Sequence, residues 1–282
     1  MSLVVTHTIP ITRQAVRAAR DRELTVGLVP TMGALHEGHA SLIRLARRQC
    51  GFVAVSIFVN PTQFGPAEDF SKYPRTPPAD LAVCEREGAD LVFAPEPATM
   101  YPSGFRTTVE VGQLGDRLCG ASRPGHFRGV ATVVLKLLNI VEPKRAYFGQ
   151  KDAQQVRIIR QMVFDMNVPT EIVVGPTVRE PDGLALSSRN RYLSPAERQS
   201  ATVLIESLSE VRRRAEAGER DAVALRQMVA DRVGATPGAV LDYAEIVEAE
   251  TFEPVDRLTG PAVAALAVKF GATRLIDNID LP

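Results

Sequence analysis

The chain has 282 residues, 45% hydrophobic and 23% charged, which supplies a sizeable core and excludes a disordered polymer. Lys+Arg and Asp+Glu stand at 33 each, so no global field recruits nucleic acid or a membrane surface, although a small anion held locally is compatible. No apolar run approaches membrane-spanning length, no basic start precedes an apolar h-region, and the 3 cysteines form no paired motif; a soluble cytoplasmic protein is expected.

The first helix is expected over 12–22, with Thr12 as its N-cap. Thr25-Val26-Gly27-Leu28-Val29 is short, β-branched and apolar, the pattern of a buried parallel strand, and Pro30 is expected to stop it. A helix then runs to about Gln49, with Leu42, Ile43, Leu45 and Ala46 on one face and Arg44, Arg47 and Arg48 on the other. Cys50 after it reads as a small buried hydrophobe. Phe52 to Val59 is a second apolar strand, followed by a Pro- and Asp-rich loop over 65–78. A helix from Asp80 to Gly88 and a strand from Asp90 to Ala94 come next, and Thr107 to Val111 alternates like a short or edge strand.

Gly129 to Val141 reads as a core helix with Lys136 its one charge. Arg145 to Phe148 is a strand, Asp152 to Met166 its helix, and Thr170 to Val174 a further strand. Strand–turn–helix alternation with wholly apolar strands predicts a doubly wound parallel sheet over 1–176, Rossmann-like in class. Gly175-Pro176 marks the expected boundary, beyond which 177–282 forms a smaller α+β domain. There Pro181-Asp182-Gly183 is a hairpin-type turn and Ser194-Pro195-Ala196-Glu197 a capping box. The helix it opens is expected to reach Ala217, another to span 221–233, and strands to follow near 240–247, 262–270 and 274–280.

The stretch Pro30-Thr31-Met32-Gly33-Ala34-Leu35-His36-Glu37-Gly38-His39 lies where open α/β sheets bind ligands. Gly33 and Gly38 allow close backbone approach or positive φ. His36 and His39, three apart, point to the same side of a first helical turn, whose N–H groups and dipole attract phosphate. Three readings of the pair are open: a satisfied structural pair, a zinc site lacking an evident third ligand, and the H-x-G-H signature of nucleotidylyltransferases. The chain has no P-loop and no G-x-G-x-x-G, so positive groups for a phosphate must come from elsewhere. Gly149-Gln150-Lys151-Asp152 offers Lys151 at a strand's C-terminal end, and Leu186-Ser187-Ser188-Arg189-Asn190 offers two hydroxyls and a guanidinium. The amides of Asn60, Gln63 and Gln155 can orient hydroxyls and a carboxylate without adding charge.

The chain resembles the pantoate–β-alanine ligase family over essentially its whole length. The likeness rests on P-T-M-G-A-L-H-E-G-H at 30–39, F-V-N-P-T-Q-F at 58–64, Y-P-R-T-P at 73–77, R-P-G-H-F-R-G-V at 123–130, F-G-Q-K-D-A-Q-Q at 148–155 and D-G-L-A-L-S-S-R-N at 182–190. The resemblance implies condensation of (R)-pantoate with β-alanine through a pantoyl adenylate, using ATP and Mg²⁺, by a cytosolic homodimer whose second domain closes as a lid. It implies ATP contacts from Met32, Gly33, His36, Gly38, His39, Gly149, Lys151, Asp152, Val178, Leu186, Ser187, Ser188 and Arg189. His39, His36, Lys151 and Arg189 would serve the chemistry, with His39 matching the usual proton donor. Gln63 and Gln155 would hold pantoate; Asn60, Gln63 and Arg123 would lie near β-alanine; and Asp80 is the candidate for Mg²⁺. Relatives often have glutamate where Gln150 stands. The rival readings are a nucleotidylyltransferase with another small acceptor and a non-catalytic ATP sensor.

Overall fold

The computed structural model describes residues 3–66, 68 and 70–282, so the loop expected over 65–78 falls in part, at Ala67 and Asp69, outside the described residues. Contacts divide the chain into two units, 1–149 with 158–176, and 150–157 with 177–282. The segment 150–157, expected with the first domain, therefore groups with the second.

The first unit runs β1 (Val4–Thr6), α1 (Ile9–Arg20), β2 (Val26–Thr31), α2 (Glu37–Gln49), β3 (Phe52–Ile57), α3 (Pro77–Arg86) and β4 (Leu91–Phe93). It continues through α4 (Pro97–Met100), α5 (Cys119–Ser122), α6 (His126–Val141) and β5 (Arg145–Gly149), and α7 (Ala153–Asp165) then leads to β6 (Glu171–Gly175). All six strands pair in parallel in the order β1-β4-β3-β2-β5-β6. From β2 the chain steps outward to β3 and β4, then returns to lay β5 on the other side of β2. The order thus reverses between β2 and β5, and the crevice at their C-terminal ends is the place such sheets reserve for a ligand. Helices cover both faces, which is why Leu28, Val29, Val53, Ala54, Val55 and Val92 are wholly buried and the strands show no polar alternation.

Several boundaries differ from expectation for local reasons. α1 starts at Ile9 with Thr8 at its N-cap and Pro10 in its first turn, where a missing N–H costs nothing. Thr12 is buried inside the helix, donating to the Thr8 carbonyl at 2.9 Å and sharing a hydrogen bond with the Thr6 hydroxyl at 2.8 Å. Pro30 does not stop β2, because its nitrogen lies on the β5 side, where the register ends at Leu28↔Ala146. The β3 side continues without it, and Phe58 N still donates to the Thr31 carbonyl at 3.0 Å. Residues 107–111 form no strand; Val109 N donates instead to Thr132 Oγ1 at 2.9 Å. α6 opens three residues early, after Gly125 at φ +80°, and so carries Arg128 as well as Lys136.

The second unit contains α8 (Pro195–Ser200), α9 (Val203–Glu216), α10 (Ala222–Gly234) and an antiparallel sheet β7 (Ala239–Glu248), β8 (Ala262–Phe270), β9 (Thr273–Leu281) in that order. The expected capping box forms, Ser194 N donating to Glu197 Oε2 at 2.8 Å and Glu197 N to Ser194 Oγ at 3.3 Å. The single helix expected from it is broken at Ala201–Thr202, where Thr202 Oγ1 turns back onto the Gln199 carbonyl at 3.0 Å. Leu204, Leu208 and Val211 of α9 share one core with Ala264, Leu266 and Val268 of β8.

Candidate functional site

The turn after β2 is held in an uncommon backbone shape. Gly33 has φ +82° and Ala34 φ +50°, both in the left-handed region, where a residue with a side chain needs outside support. Asp80 gives that support: its carboxylate accepts from Ala34 N at 3.1 Å, Leu35 N at 2.8 Å and Thr76 Oγ1 at 3.1 Å. The residue is 2% exposed, and Oδ2 lies 3.0 Å from where a Gly33 Cβ would be, so the turn closes tightly over it. Asp80, expected at Mg²⁺, is thus the anchor of the turn, because both of its oxygens are used by the loop. Among the described residues no group of three His, Cys, Asp or Glu could hold a metal ion. Burial first, then the Asp80 charge, push the neighbouring Cys84 thiol up to about 12, which removes it as a nucleophile.

His36 and His39 cap α2 reciprocally. Gly38 N donates to His36 Nδ1 at 3.2 Å, and His36 N donates to His39 Nδ1 at 3.3 Å. Both Nδ1 atoms therefore act as acceptors, which places the proton of each neutral ring on Nε2. The ring centroids are 4.2 Å apart and the planes tilted by 48°, so the cap brings two imidazoles together beside a helix N-terminus. Gly38 makes room for this: a Cβ there would meet His36 Cε1 at 2.9 Å and Nδ1 at 3.0 Å. Gly38→Ala is accordingly expected to displace the His36 ring and lower turnover roughly 10- to 10²-fold, the scale of a misplacement near 1 Å. Its thermal midpoint should stay close to wild type; unchanged turnover would mean the ring is not held by this contact.

A polar cluster follows β3. Asn60, 1% exposed, donates to Gln63 Oε1 and to the Gly129 carbonyl, each at 3.1 Å. Its Oδ1 accepts from Tyr101 Oη at 2.7 Å and Thr62 Oγ1 at 3.0 Å. Expected beside β-alanine, Asn60 is a hub whose amide hydrogens are both used within the protein. It orients Gln63, whose Nε2 reaches Met32 Sδ at 2.8 Å and so ties this cluster to the histidine turn. Arg123 meets Glu68 in a fork of 2.7 and 2.6 Å and shares a hydrogen bond with His126 Nε2 at 3.0 Å. Burial pushes the Glu68 carboxyl up, but the hydrogen bonds and charge of Arg123 outweigh it and hold Glu68 below its ordinary value. Lys136 lies over the Phe105 ring, 4.7 Å from its centroid, and over Tyr101 at 5.9 Å. Glu68 and Tyr101 were not evident from the sequence, because Arg123 and Asn60, their partners, lie in distant segments.

Gly149, the last residue of the first unit before 150, and segments of the second unit carry the other expected residues. Gly149 ends β5 with open space where its Cβ would be. Gln150–Asp152 is a 3-10 turn leading into α7, with Lys151 Nζ 3.9 Å from Asp152 Oδ1 and Gln155 half-buried in the first turn of α7. Val178 and Leu186 face each other across a hairpin, Leu186 N donating to the Val178 carbonyl at 3.0 Å. Ser187 then caps a 3-10 turn, Ser188–Tyr192, its Oγ accepting from Arg189 N at 3.2 Å. Arg179 braces the hairpin, donating to Asp277 at 2.6 and 3.0 Å and to the Gly183 carbonyl at 3.0 Å.

A family model described as pantoate-beta-alanine ligase matches residues 4–280. A pantothenate synthetase of Acetivibrio thermocellus is 54% identical over 275 residues, 98% of this chain and 98% of its own. The crystal structure of pantothenate synthetase from Thermus thermophilus superposes with TM-score 0.94 at 46% identity, covering 99% of this chain and 100% of that one. A pantoate-beta-alanine ligase from Francisella tularensis, complexed with beta-gamma ATP and beta-alanine, matches with TM-score 0.80 at 36% identity, covering 99% and 97%.

Proposed function

The chain belongs to the pantoate-beta-alanine ligase family, and from that premise we infer that it joins (R)-pantoate to β-alanine, using ATP and releasing AMP and pyrophosphate. The observation that carries the reading is the reciprocal cap of His36 and His39, which holds two imidazoles together at the switch point of the sheet. Free carboxylates are poor electrophiles, so the pantoate oxygen first attacks the α-phosphorus and pyrophosphate leaves. The amine of β-alanine then attacks the acyl carbon, the bond to AMP breaks, and the amine gives up a proton. Each step builds negative charge on phosphate oxygens, and fixed donors stabilise that charge without reorganising.

In this reading His36 and His39 donate from Nε2 to the phosphates, and Lys151, Ser187, Ser188 and Arg189 serve the same anion. Gln63 and Gln155 orient pantoate, and Gly149 and Asp152 meet the ribose. Arg123 can take the β-alanine carboxylate once its fork to Glu68 opens. Mg²⁺ is proposed as a companion of the triphosphate, since this ion is commonly held by phosphates and water with few protein ligands. The proposal extends, on the resemblance, to a cytoplasmic homodimer and to a second domain that acts as a lid. Among the described residues no helix is long and apolar enough to cross a membrane.

The test is isotope exchange. Labelled pyrophosphate should enter ATP when pantoate and Mg²⁺ are present and β-alanine is absent, and omitting pantoate should stop it. Exchange that needs β-alanine, or ADP as the nucleotide product, would overturn the adenylate route.

A further inference from the structure

We propose that Asn278 of β9 is the positioning residue for Lys151, its amide fixing the height of the turn from which the ammonium projects. The inference rests on the reading of Lys151 as a phosphate-binding group.

Asn278 is 5% exposed, and both hydrogens of its amide and its oxygen are engaged. Nδ2 donates to the Gln150 carbonyl at 2.9 Å and to the Lys151 carbonyl at 2.8 Å. Oδ1 accepts from Gln150 Nε2 at 3.4 Å, and the same Nε2 reaches Asp280 Oδ1 at 3.1 Å. The turn is therefore fastened to one strand by its main chain at two successive carbonyls and by the side chain of Gln150. Asn278 N itself donates to Asp277 Oδ1 at 2.8 Å, and Asp277 holds Arg179 in a fork. One strand thus seats the lysine turn and also braces the hairpin that leads into Ser187.

A lysine is a point charge on a flexible stem, so its placement at a phosphate depends on where the root of the stem is fixed. Asn278 fixes that root and spends both of its amide hydrogens doing so, which leaves none for a ligand. In this proposal it acts on the phosphates through Lys151. The same geometry accounts for Gln150: a glutamate there would lose both donors and bring a carboxylate against Asp280, a like-charge contact.

Asn278→Asp keeps the shape and replaces the amide nitrogen, with its two hydrogens, by one oxygen facing two carbonyls. In the full chain it should lower kcat of pantoate-dependent pyrophosphate exchange by on the order of 10²-fold, the scale of a misplacement near 1 Å. Added to Lys151→Ala, it should cost no more than about a further twofold, because the group it positions is already gone. Should Asn278→Asp fail to fold, Gln150→Glu decides the matter: its loss of rate should be reversed by Asp280→Asn. A wild-type rate in Asn278→Asp beside an impaired Lys151→Ala overturns the positioning role and leaves the function standing. Multiplicative losses in the double variant also overturn it, since the strand would then act on the fold as a whole. No loss in Gln150→Glu counts against it likewise. A wild-type rate in Lys151→Ala would instead strike at the functional reading itself.

Discussion

Lys151→Ala is expected to lower the rate of pantoyl adenylate formation by roughly two orders of magnitude or more, the scale of losing one charge-stabilising group. Attack of one anion on another needs a fixed positive charge. Lys151 stands at the C-terminal end of a sheet strand, its side chain 21% exposed. Its ionic neighbour, Asp152 at 3.9 Å, forms a contact worth little to folding. Thermal stability should accordingly change by less than about 0.5 kcal/mol. Rapid-quench measurement of adenylate, with β-alanine absent, separates this step from amide formation. A burst at the wild-type rate would reduce Lys151 to a surface residue.

What could be read from the sequence was what depends on near neighbours. The apolar runs that became β2, β3 and β5 are buried on both faces, and such strands announce themselves by composition alone. The histidine turn was legible because its chemistry lies within ten consecutive residues. Pro30 misled because whether a strand tolerates proline depends on which neighbour its nitrogen faces, and that is a property of the sheet. Asp80, Glu68 and Asn278 took their roles from partners 46, 55 and 127 residues away, and no periodicity spans such distances. Asn60 was seen as polar and near the site, but its saturation by Gly129 and Tyr101 needed the fold. The residues proposed to touch ligand lie in local motifs, whereas those that hold them still take their partners from far along the chain.

Asp80→Ala should be the most damaging single change to the first unit. It leaves the N–H groups of Ala34 and Leu35 and the Thr76 hydroxyl without their carboxylate, and it opens a gap under a turn with two positive φ values. Buried donors left unsatisfied, with a cavity beside them, cost about 2–4 kcal/mol together. The rate should fall by on the order of 10²-fold or more, because the turn that releases its anchor also carries His36 and His39. Asp80→Asn tests the assignment more finely. One oxygen remains to accept from a backbone N–H, while the new NH₂ faces a donor, so stability and rate should both lie between wild type and alanine. Anchor and metal ligand differ in their response to magnesium. An anchor variant should lose thermal stability in the absence of any ligand, and its Mg²⁺ half-saturation should stay where the wild type has it. A normal thermal midpoint combined with a demand for much more Mg²⁺ would return Asp80 to the metal.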